Sequence, residues 1–317
     1  MIAHLQGREK AIQELGFKPE DAEWIALVAL HSGVFLRSQY GRFVGDNTST
    51  GRKRAERLVG GLLQRGLGSD YDVPGLGRVC RLKSRTVYRA LGAEHIRHRR
   101  DAAQLTLLRR LLSLDFVLGE LGLPWLPTEP EKVAAFEALG IPRQVLPKRV
   151  YGSKRKGRTE RPFGWKMPIA FADGLARFVF VDIGGETHEE LLSWGAEHAP
   201  LWSALAARGL RTEVIAVALA NGRLVDTERI LTGWTEPGIR VPGARVNDAQ
   251  LDELKRAEGA LASLDEPAMS KWGGLNGTIR RVAELQRRRD AVGQEGPERI
   301  RLDGVRVCSA QLAWTAR

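Results

Sequence analysis

The 317-residue sequence has little cysteine and no long apolar run, and each deficit excludes a class of protein. Its two cysteines, Cys80 and Cys308, provide neither a framework of several disulfides nor a CxxC metal pair. The longest apolar runs, residues 24–30 and 214–220, fall far short of the ~18 residues that a membrane-spanning helix needs. Charged residues near the N-terminus also break the pattern of a secretory signal. We therefore expect a cytoplasmic protein with no membrane partner.

Several motifs of common enzyme classes are also missing. The sequence contains no GxxxxGK[ST] or GxGxxG loop, no HExxH and no GxSxG. His188 and His198 lie ten residues apart on one predicted helix, too far along its axis to share a metal, and we expect surface or capping roles for both. We therefore predict no resident metal and no cofactor.

Positive charge is abundant, and it is concentrated in one half of the chain. The sequence has 49 Lys+Arg against 38 Asp+Glu, a net charge of +11 and a pI near 10.0. Residues 1–166 contain 30 basic and 17 acidic side chains, whereas the remainder contains 19 and 21. A one-sided excess makes a local positive field that attracts polyanions, so nucleic acid is the leading candidate partner. The alternative is a solvated arginine-rich surface without a ligand.

The first part of the chain has the hydrophobic periodicity of three helices followed by a hairpin. The helices are predicted over residues 19–32, 38–44 and 52–65, and the hairpin strands over residues 67–73 and 78–83. This order of elements is typical of a winged helix-turn-helix, to which we assign residues 1–90. In that fold the third helix enters the major groove of DNA and the hairpin, or wing, meets the flanking backbone.

Basic and hydroxyl side chains cluster where this docking needs them. At the start of the third helix they are Thr50, Arg52, Lys53, Arg54 and Arg57, and on the wing Arg78 and Arg81. We predict that the helix residues reach base edges and nearby phosphates, while the wing arginines hold the backbone. The alternative is that this fold serves as a protein-interaction module, with the basic residues only solvating a helix start.

A helical connector is predicted over residues 91–146. Residues 86–121 have the pattern of one long helix, and a long helix beside a winged domain favours a homodimer. A basic segment follows, containing Lys154, Arg155, Lys156 and Arg158. This segment is predicted either to track DNA phosphates or to serve as a flexible connector.

The second half predicts an α/β domain over residues 147–236 and a helical extension over residues 237–317. Within the domain, strands are expected over residues 167–171, 177–182 and 213–220, with helices over residues 187–208 and 224–234. The extension is predicted to hold helices over residues 247–264 and 278–291, and a terminal hairpin that turns at Asp303-Gly304.

Two stretches together resemble a known family. Residues 25–83, with the arginine-rich third helix and the Arg78-Val79-Cys80-Arg81 wing, resemble the winged helix of the bacterial replication-relaxation family. Residues 177–218 are similar to that family's second domain, a decayed PD-(D/E)xK nuclease fold, through Val181-Asp182, the helix containing Trp194 and the strand beginning at Glu213. The resemblance implies a double-stranded DNA-binding protein of a plasmid or integrative element. Such a protein would assist or regulate replication, transfer or transcription, with replication or transfer proteins as partners.

The resemblance raises a second hypothesis, an Mg²⁺-dependent nuclease. Asp173 and Asp182 would supply the two acidic ligands, and a lysine would orient the attacking water. Gly184 stands where that lysine is expected, so the signature is broken unless Lys166, Glu186, His188 or Glu189 substitutes for the missing groups. A protein-interaction scaffold that binds no DNA is the third hypothesis.

Overall fold

The computed structural model describes residues 2–96, 98–153, 157–164, 167–183, 188–218, 221–235, 248–292 and 302–309. Within these ranges the protein is a mixed α+β fold with twelve α-helices and three small sheets. The helices are α1 (Glu9–Gln13), α2 (Pro19–His31), α3 (Arg37–Phe43), α4 (Ser49–Gln64), α5 (Arg85–Ala90), α6 (Gln104–Gly119), α7 (Glu129–Ala138), α8 (Glu189–Ala206), α9 (Asn221–Gly233), α10 (Asp248–Ser263), α11 (Glu266–Ser270) and α12 (Gly274–Val292). The strands are β1 (Val34–Leu36), β2 (Gly68–Val73), β3 (Gly77–Leu82), β4 (Lys148–Ser153), β5 (Gly157–Pro162), β6 (Ile169–Ala172), β7 (Leu175–Asp182), β8 (Arg211–Ala218) and β9 (Gly304–Ser309).

The N-terminal unit contains α2, β1, α3, α4, β2 and β3 in that order. Its sheet has the strand order β1-β3-β2 and is antiparallel throughout, with Phe35 opposite Cys80 and Tyr71 opposite Val79. The predicted helices and hairpin are confirmed as elements, whereas β1 was not predicted. Trp24 of α2 packs edge-to-face on Phe35 and Tyr40, which joins the first helix to β1 and α3.

The prediction of one long helix over residues 86–121 is wrong. The chain forms α5 and α6, and residues 91–103 between them are not helical among those that the structure describes. Gly92 has a φ of +64°, a left-handed conformation that favours glycine and ends α5. The chain becomes helical again after Ala103, whose backbone is extended.

Helix α6 contacts both halves of the protein. On one side, Gln39 of α3 donates from Nε2 to the Leu111 carbonyl oxygen at 2.8 Å. On the other, Arg109 pairs with Glu190 of α8 at 2.6 Å, and Phe116 packs edge-to-face against Trp125. The predicted connector is therefore in part a packed helix shared by the two halves.

The second half is built on a four-stranded sheet of order β6-β7-β8-β9. Strand β6 is antiparallel to β7, whereas β7, β8 and β9 are mutually parallel. Helix α8 connects β7 to β8, and its Trp194 and Trp202 pack on Phe180 and Phe178 of β7. Continuous apolar runs in β7 and β8 are typical of strands covered on both faces, which explains why these two strands were predictable.

The predicted terminal hairpin at Asp303-Gly304 lies only partly within the described residues, because residues 300 and 301 of its first strand are outside them. Its second strand, β9, runs parallel to β8, with Val305 opposite Val214, a pairing that the sequence did not predict. Asp303 accepts a hydrogen bond from the Thr212 backbone N–H through Oδ2 at 2.8 Å, which fixes the start of this pairing. The Asp303-Gly304 pair therefore lies where the chain joins the sheet and β9 begins.

Two smaller units complete the described part of the chain. Strands β4 and β5 form a two-stranded antiparallel sheet where the sequence predicted a phosphate-tracking loop or a connector. Helices α10, α11 and α12 bury a small core that includes Leu254, Ala257, Val282 and Leu285. None of the helices in the described ranges combines the length and apolar character required to traverse a bilayer.

Candidate nucleic-acid interface

Helix α4 begins at a tightly packed turn. Thr48 caps the helix, and its Oγ1 accepts a hydrogen bond from the Thr50 backbone N–H at 3.2 Å. Asp46 in turn accepts from the Thr48 N–H at 3.0 Å. A Cβ at Gly51 would lie 1.8 Å from the Asp46 carbonyl oxygen, so only glycine permits this approach of the turn to the helix. The start of α4 is thus held in one conformation.

One face of α4 is buried, and the opposite face is exposed and basic. The buried positions recur at helical spacing and are Ala55, Leu58, Val59 and Leu62. The exposed positions include four of the five predicted contact residues, Thr50, Arg52, Lys53 and Arg57. The three basic side chains of this set make no ion pair within the part of the chain that the structure describes. They are available to an anionic ligand.

Arg54, the fifth predicted contact residue on α4, is positioned differently. Its side chain is only partly exposed and forms an ion pair with Glu20 of α2. This contact joins α4 to α2 across 34 residues of sequence. Arg54 therefore supports the packing of the unit and does not belong to the exposed basic face.

The two predicted wing arginines differ in exposure. The Arg78 side chain is 61% exposed and lies 2.6 Å from Asp70, at the edge of the hairpin. The Arg81 side chain is 13% exposed, pairs with Asp101 and donates from Nε to Ser69 Oγ at 3.3 Å. Arg78 is thus exposed on the wing, although it already forms an ion pair with Asp70. Arg81 is not free to hold a DNA backbone in this conformation, because its guanidinium is occupied by packing and ion pairing.

A charged network between α3, α4 and β2 was not predicted. Arg37 donates from Nη1 and Nη2 to the two carboxylate oxygens of Asp70 at 3.0 and 2.9 Å, and from Nε to Glu56 at 2.6 Å. Burial alone would lower the pKa of Arg37, but the hydrogen bonds that it donates to its two carboxylate partners, together with their negative charge, outweigh this effect and raise the pKa above its ordinary value. These partners lie 19 and 33 residues away in sequence, so no local pattern signals the network.

The second predicted basic segment falls only partly within the described residues. Lys154, Arg155 and Lys156 lie outside them, whereas Arg158 lies on β5 opposite Gly152. The base of this two-stranded sheet is anchored by an ion pair between Arg161 and Glu129 at 2.5 Å. The segment is therefore attached to α7 at its base, and its role as a phosphate contact stays a prediction.

The two carboxylates of the nuclease hypothesis lie at opposite ends of β7. Asp173 is exposed in the turn that precedes the strand, whereas Asp182 is the last residue of the strand and is buried. The seven residue steps of β7 alone span roughly 23 Å at the usual rise of a strand. Ligands of one Mg²⁺ lie about 2 Å from the ion, so Asp173 and Asp182 do not form a shared metal site in this fold.

Asp182 instead has a cationic partner. Arg223 of α9 donates from Nε to Asp182 Oδ2 at 3.1 Å, and the two side chains are 19% and 7% exposed. Gly184, which stands at the position of the missing lysine, lies outside the described residues, as do the candidate substitutes Lys166 and Glu186. Over the described ranges, no group of three or more His, Cys, Asp or Glu side chains is arranged to hold a metal ion.

The two remaining substitutes, His188 and Glu189, lie at the start of α8. His188 occupies the position before the first helical residue, as the predicted capping role requires, but its side chain makes no capping hydrogen bond. Glu189 is the first residue of the helix. An acidic residue in that first turn is favoured by the helix dipole, so its presence there is explained without a metal.

His198 is not the surface or capping residue that the sequence predicts. It is 3% exposed and lies between Trp194 and Trp202, with its Nδ1 2.7 Å from the Trp194 carbonyl oxygen. Burial lowers the pKa of His198 to about 3 despite the hydrogen bond to that carbonyl, so the ring is neutral at physiological pH. It is a core residue of the second half.

Comparison with known proteins identifies no relative. The chain matches no family model, no curated protein and no solved structure. Its function therefore has to be argued from the residues and geometry described above.

Proposed function

We propose that this protein binds double-stranded DNA through the N-terminal unit, with α4 in the major groove. The observation that carries the proposal is the exposed face of α4, on which Arg52, Lys53 and Arg57 lie opposite a continuous buried stripe. A major groove about 12 Å wide admits one helix, and basic side chains near the start of that helix reach phosphates and base edges.

The connectivity of the unit supports the same docking. Its helix-strand-helix-helix-strand-strand order and its β1-β3-β2 antiparallel sheet are compatible with a winged helix-turn-helix. Arg78 on the hairpin is exposed and would meet the flanking backbone. The excess of basic residues in the first 166 residues would attract the duplex over a longer range.

For the second half, we propose a nuclease-like fold that supports assembly and does not cut DNA. The mixed β6-β7-β8-β9 sheet with its α8 crossover is compatible with a decayed PD-(D/E)xK domain. Together with the resemblance to the replication-relaxation family, this favours a role in the replication, transfer or transcription of a plasmid or integrative element. A homodimer and the element's replication or transfer proteins are the partners that such a role would involve.

A salt titration of the full chain tests DNA binding. The probe is a fluorescent duplex of random sequence, and its anisotropy is measured at ~50 and ~200 mM salt. If Arg52, Lys53, Arg57 and Arg78 each neutralise one phosphate, the slope of log affinity against log salt is about −3.6, and affinity falls roughly 150-fold between the two conditions.

A matched pair of variants localises the contact. Lys53→Ala/Arg57→Ala should reduce the magnitude of the salt slope by about two. Arg143→Ala/Arg229→Ala removes the same charge from side chains that are 62% and 74% exposed outside the N-terminal unit, and it should leave the slope unchanged. Absence of binding at low salt would remove the proposal in favour of a protein-interaction scaffold. Equal effects of the two variants would remove α4 as the interface.

A further inference from the structure

An acidic residue interrupts the basic face of α4. Glu56 follows Arg52 by one helical turn and precedes Gly60 by another, so the three residues form one row along the exposed side. Its side chain is 55% exposed. A carboxylate at this place opposes the attraction of phosphate by its neighbours, and it would be costly against DNA unless it accepted a hydrogen bond.

The Glu56 carboxylate is held in place by Arg37, on the side of the helix that faces the protein. Arg37 donates to Glu56 Oε1 at 2.6 Å while both of its Nη groups are fixed by Asp70. Asp70 is itself 2% exposed, so the Arg37 guanidinium is anchored in the body of the unit. Glu56 Oε2 has no hydrogen-bond partner in the described part of the chain, although half of the side chain faces solvent. One carboxylate oxygen is thus positioned by protein and the other is free for a ligand.

The row that contains Glu56 is also open at its far end. Gly60 is exposed, and a Cβ placed there would meet no atom within 4 Å. An outward glycine allows the surface of α4 to approach the floor of the groove closely. Among the four bases, cytosine and adenine offer amino donors in the major groove, and only the cytosine N4 group has no acceptor beside it on the same base, so a carboxylate pairs best with cytosine.

We infer that Glu56 determines sequence specificity by accepting a hydrogen bond from the N4 amino group of a cytosine, and that Arg37 is its positioning residue. This inference rests on the proposed docking of α4 in the major groove. At guanine or thymine the same carboxylate would be left unpaired against an acceptor or a methyl group, and at adenine it would accept from N6 but face the N7 acceptor beside that group. Glu56 would then discriminate chiefly by rejecting the wrong sites.

The experiment is a binding-site selection from a random duplex library with the full chain, followed by titration of duplexes that differ at one base pair. The wild-type protein should select a C·G pair at one position, and replacing that pair should weaken binding roughly tenfold. Glu56→Gln keeps an oxygen acceptor for Arg37 but presents an amide, which pairs with adenine N6 and N7. This variant should therefore select A·T at the same position.

Three further variants separate base reading from a structural role. Glu56→Asp keeps the charge but shortens the side chain, and it should lose the preference at that position without gaining another. Arg37→Gln should weaken the preference without changing the preferred base. Glu228→Gln removes an equal charge from an exposed position on α9 and should select the wild-type site.

The outcomes are distinct. An unchanged site for Glu56→Gln, or a uniform rise in affinity for all sequences, would overturn the inference and leave DNA binding by α4 intact. Failure of the wild-type protein to bind any duplex at low salt would instead remove the proposed function. Circular dichroism melts of each variant verify that the selected proteins are folded.

Discussion

Arg223 donates from Nε to Asp182 Oδ2 at 3.1 Å, at the carboxyl end of β7. The pair joins α9 to the central sheet and is largely withdrawn from solvent. We expect Asp182→Ala to lower the free energy of unfolding by about 2–4 kcal/mol, because it removes a carboxylate that pairs with the Arg223 guanidinium in a mostly buried place. Urea denaturation measures the change.

A double-mutant cycle tests whether this loss comes from the pair. Arg223→Met alone should destabilise the protein, and the double variant Asp182→Ala/Arg223→Met should cost less than the sum of the single variants by about 1–3 kcal/mol. Additive losses would mean that the two side chains act independently. Incubation with plasmid and Mg²⁺ or Mn²⁺ should show no cleavage that depends on Asp182.

A second prediction concerns the buried histidine pair at the C-terminus of α2. The Nε2 atoms of His4 and His31 are 3.2 Å apart. Burial lowers the pKa of His4 to about 4 and lowers that of His31 well below its ordinary value, with the like charge of the other histidine and of Lys132 adding to the effect on His31. Both rings are therefore neutral in the folded protein at pH 7.

The sign of the pH dependence follows from these directions. Below pH 6.5 the unfolded chain takes up protons that the folded chain excludes, so the contribution of these groups to stability is constant above that pH and falls as the pH drops towards 4. Each such histidine contributes a slope of roughly 1.4 kcal/mol per pH unit. His31→Phe should reduce the measured slope between pH 6 and pH 5 by about that amount. A slope identical to that of the wild-type protein would contradict the assignment.

The third prediction contrasts two helical glycines. Gly60 on α4 has open space where a methyl group would project, so Gly60→Ala should raise the free energy of unfolding by about 0.5–1 kcal/mol. Gly195 on α8 is the matched control, because a Cβ there would lie 2.5 Å from Cη2 of Trp234. Gly195→Ala should therefore destabilise the protein by about 1–3 kcal/mol. Thermal melts of the two variants should shift in opposite directions.

The elements that were predicted correctly are those formed by residues close together in the sequence. The apolar stripe of α4 and the turn between β2 and β3 are both present in short stretches of sequence, and both are confirmed. Strand β1 has three residues, too few for a periodic signal, and β9 pairs with a strand about 90 residues earlier in the chain. The Asp-Gly pair at the start of β9 has the composition of a hairpin turn, so the local composition did not indicate this parallel pairing.

The same distinction applies to the candidate site. Exposure of Arg52, Lys53 and Arg57 follows from the helical period, so those residues were predictable. The ion pairs of Arg54 and Arg81 were not predictable, because their partners Glu20 and Asp101 lie 34 and 20 residues away in sequence. Charge composition indicates which side chains are basic, but only the fold decides which of them already have a counter-charge.

Helix α6 couples the orientation of the N-terminal unit to that of the second half. Asp115 of α6 accepts from Arg42 of α3 at 2.6 Å, four residues beyond the Leu111 carbonyl that Gln39 engages. On the other side of the same helix, Arg109 reaches Glu190 of α8. Because α6 is anchored by ion pairs to α3 on one side and to α8 on the other, we expect the N-terminal unit and the four-stranded sheet to turn in solution as one body.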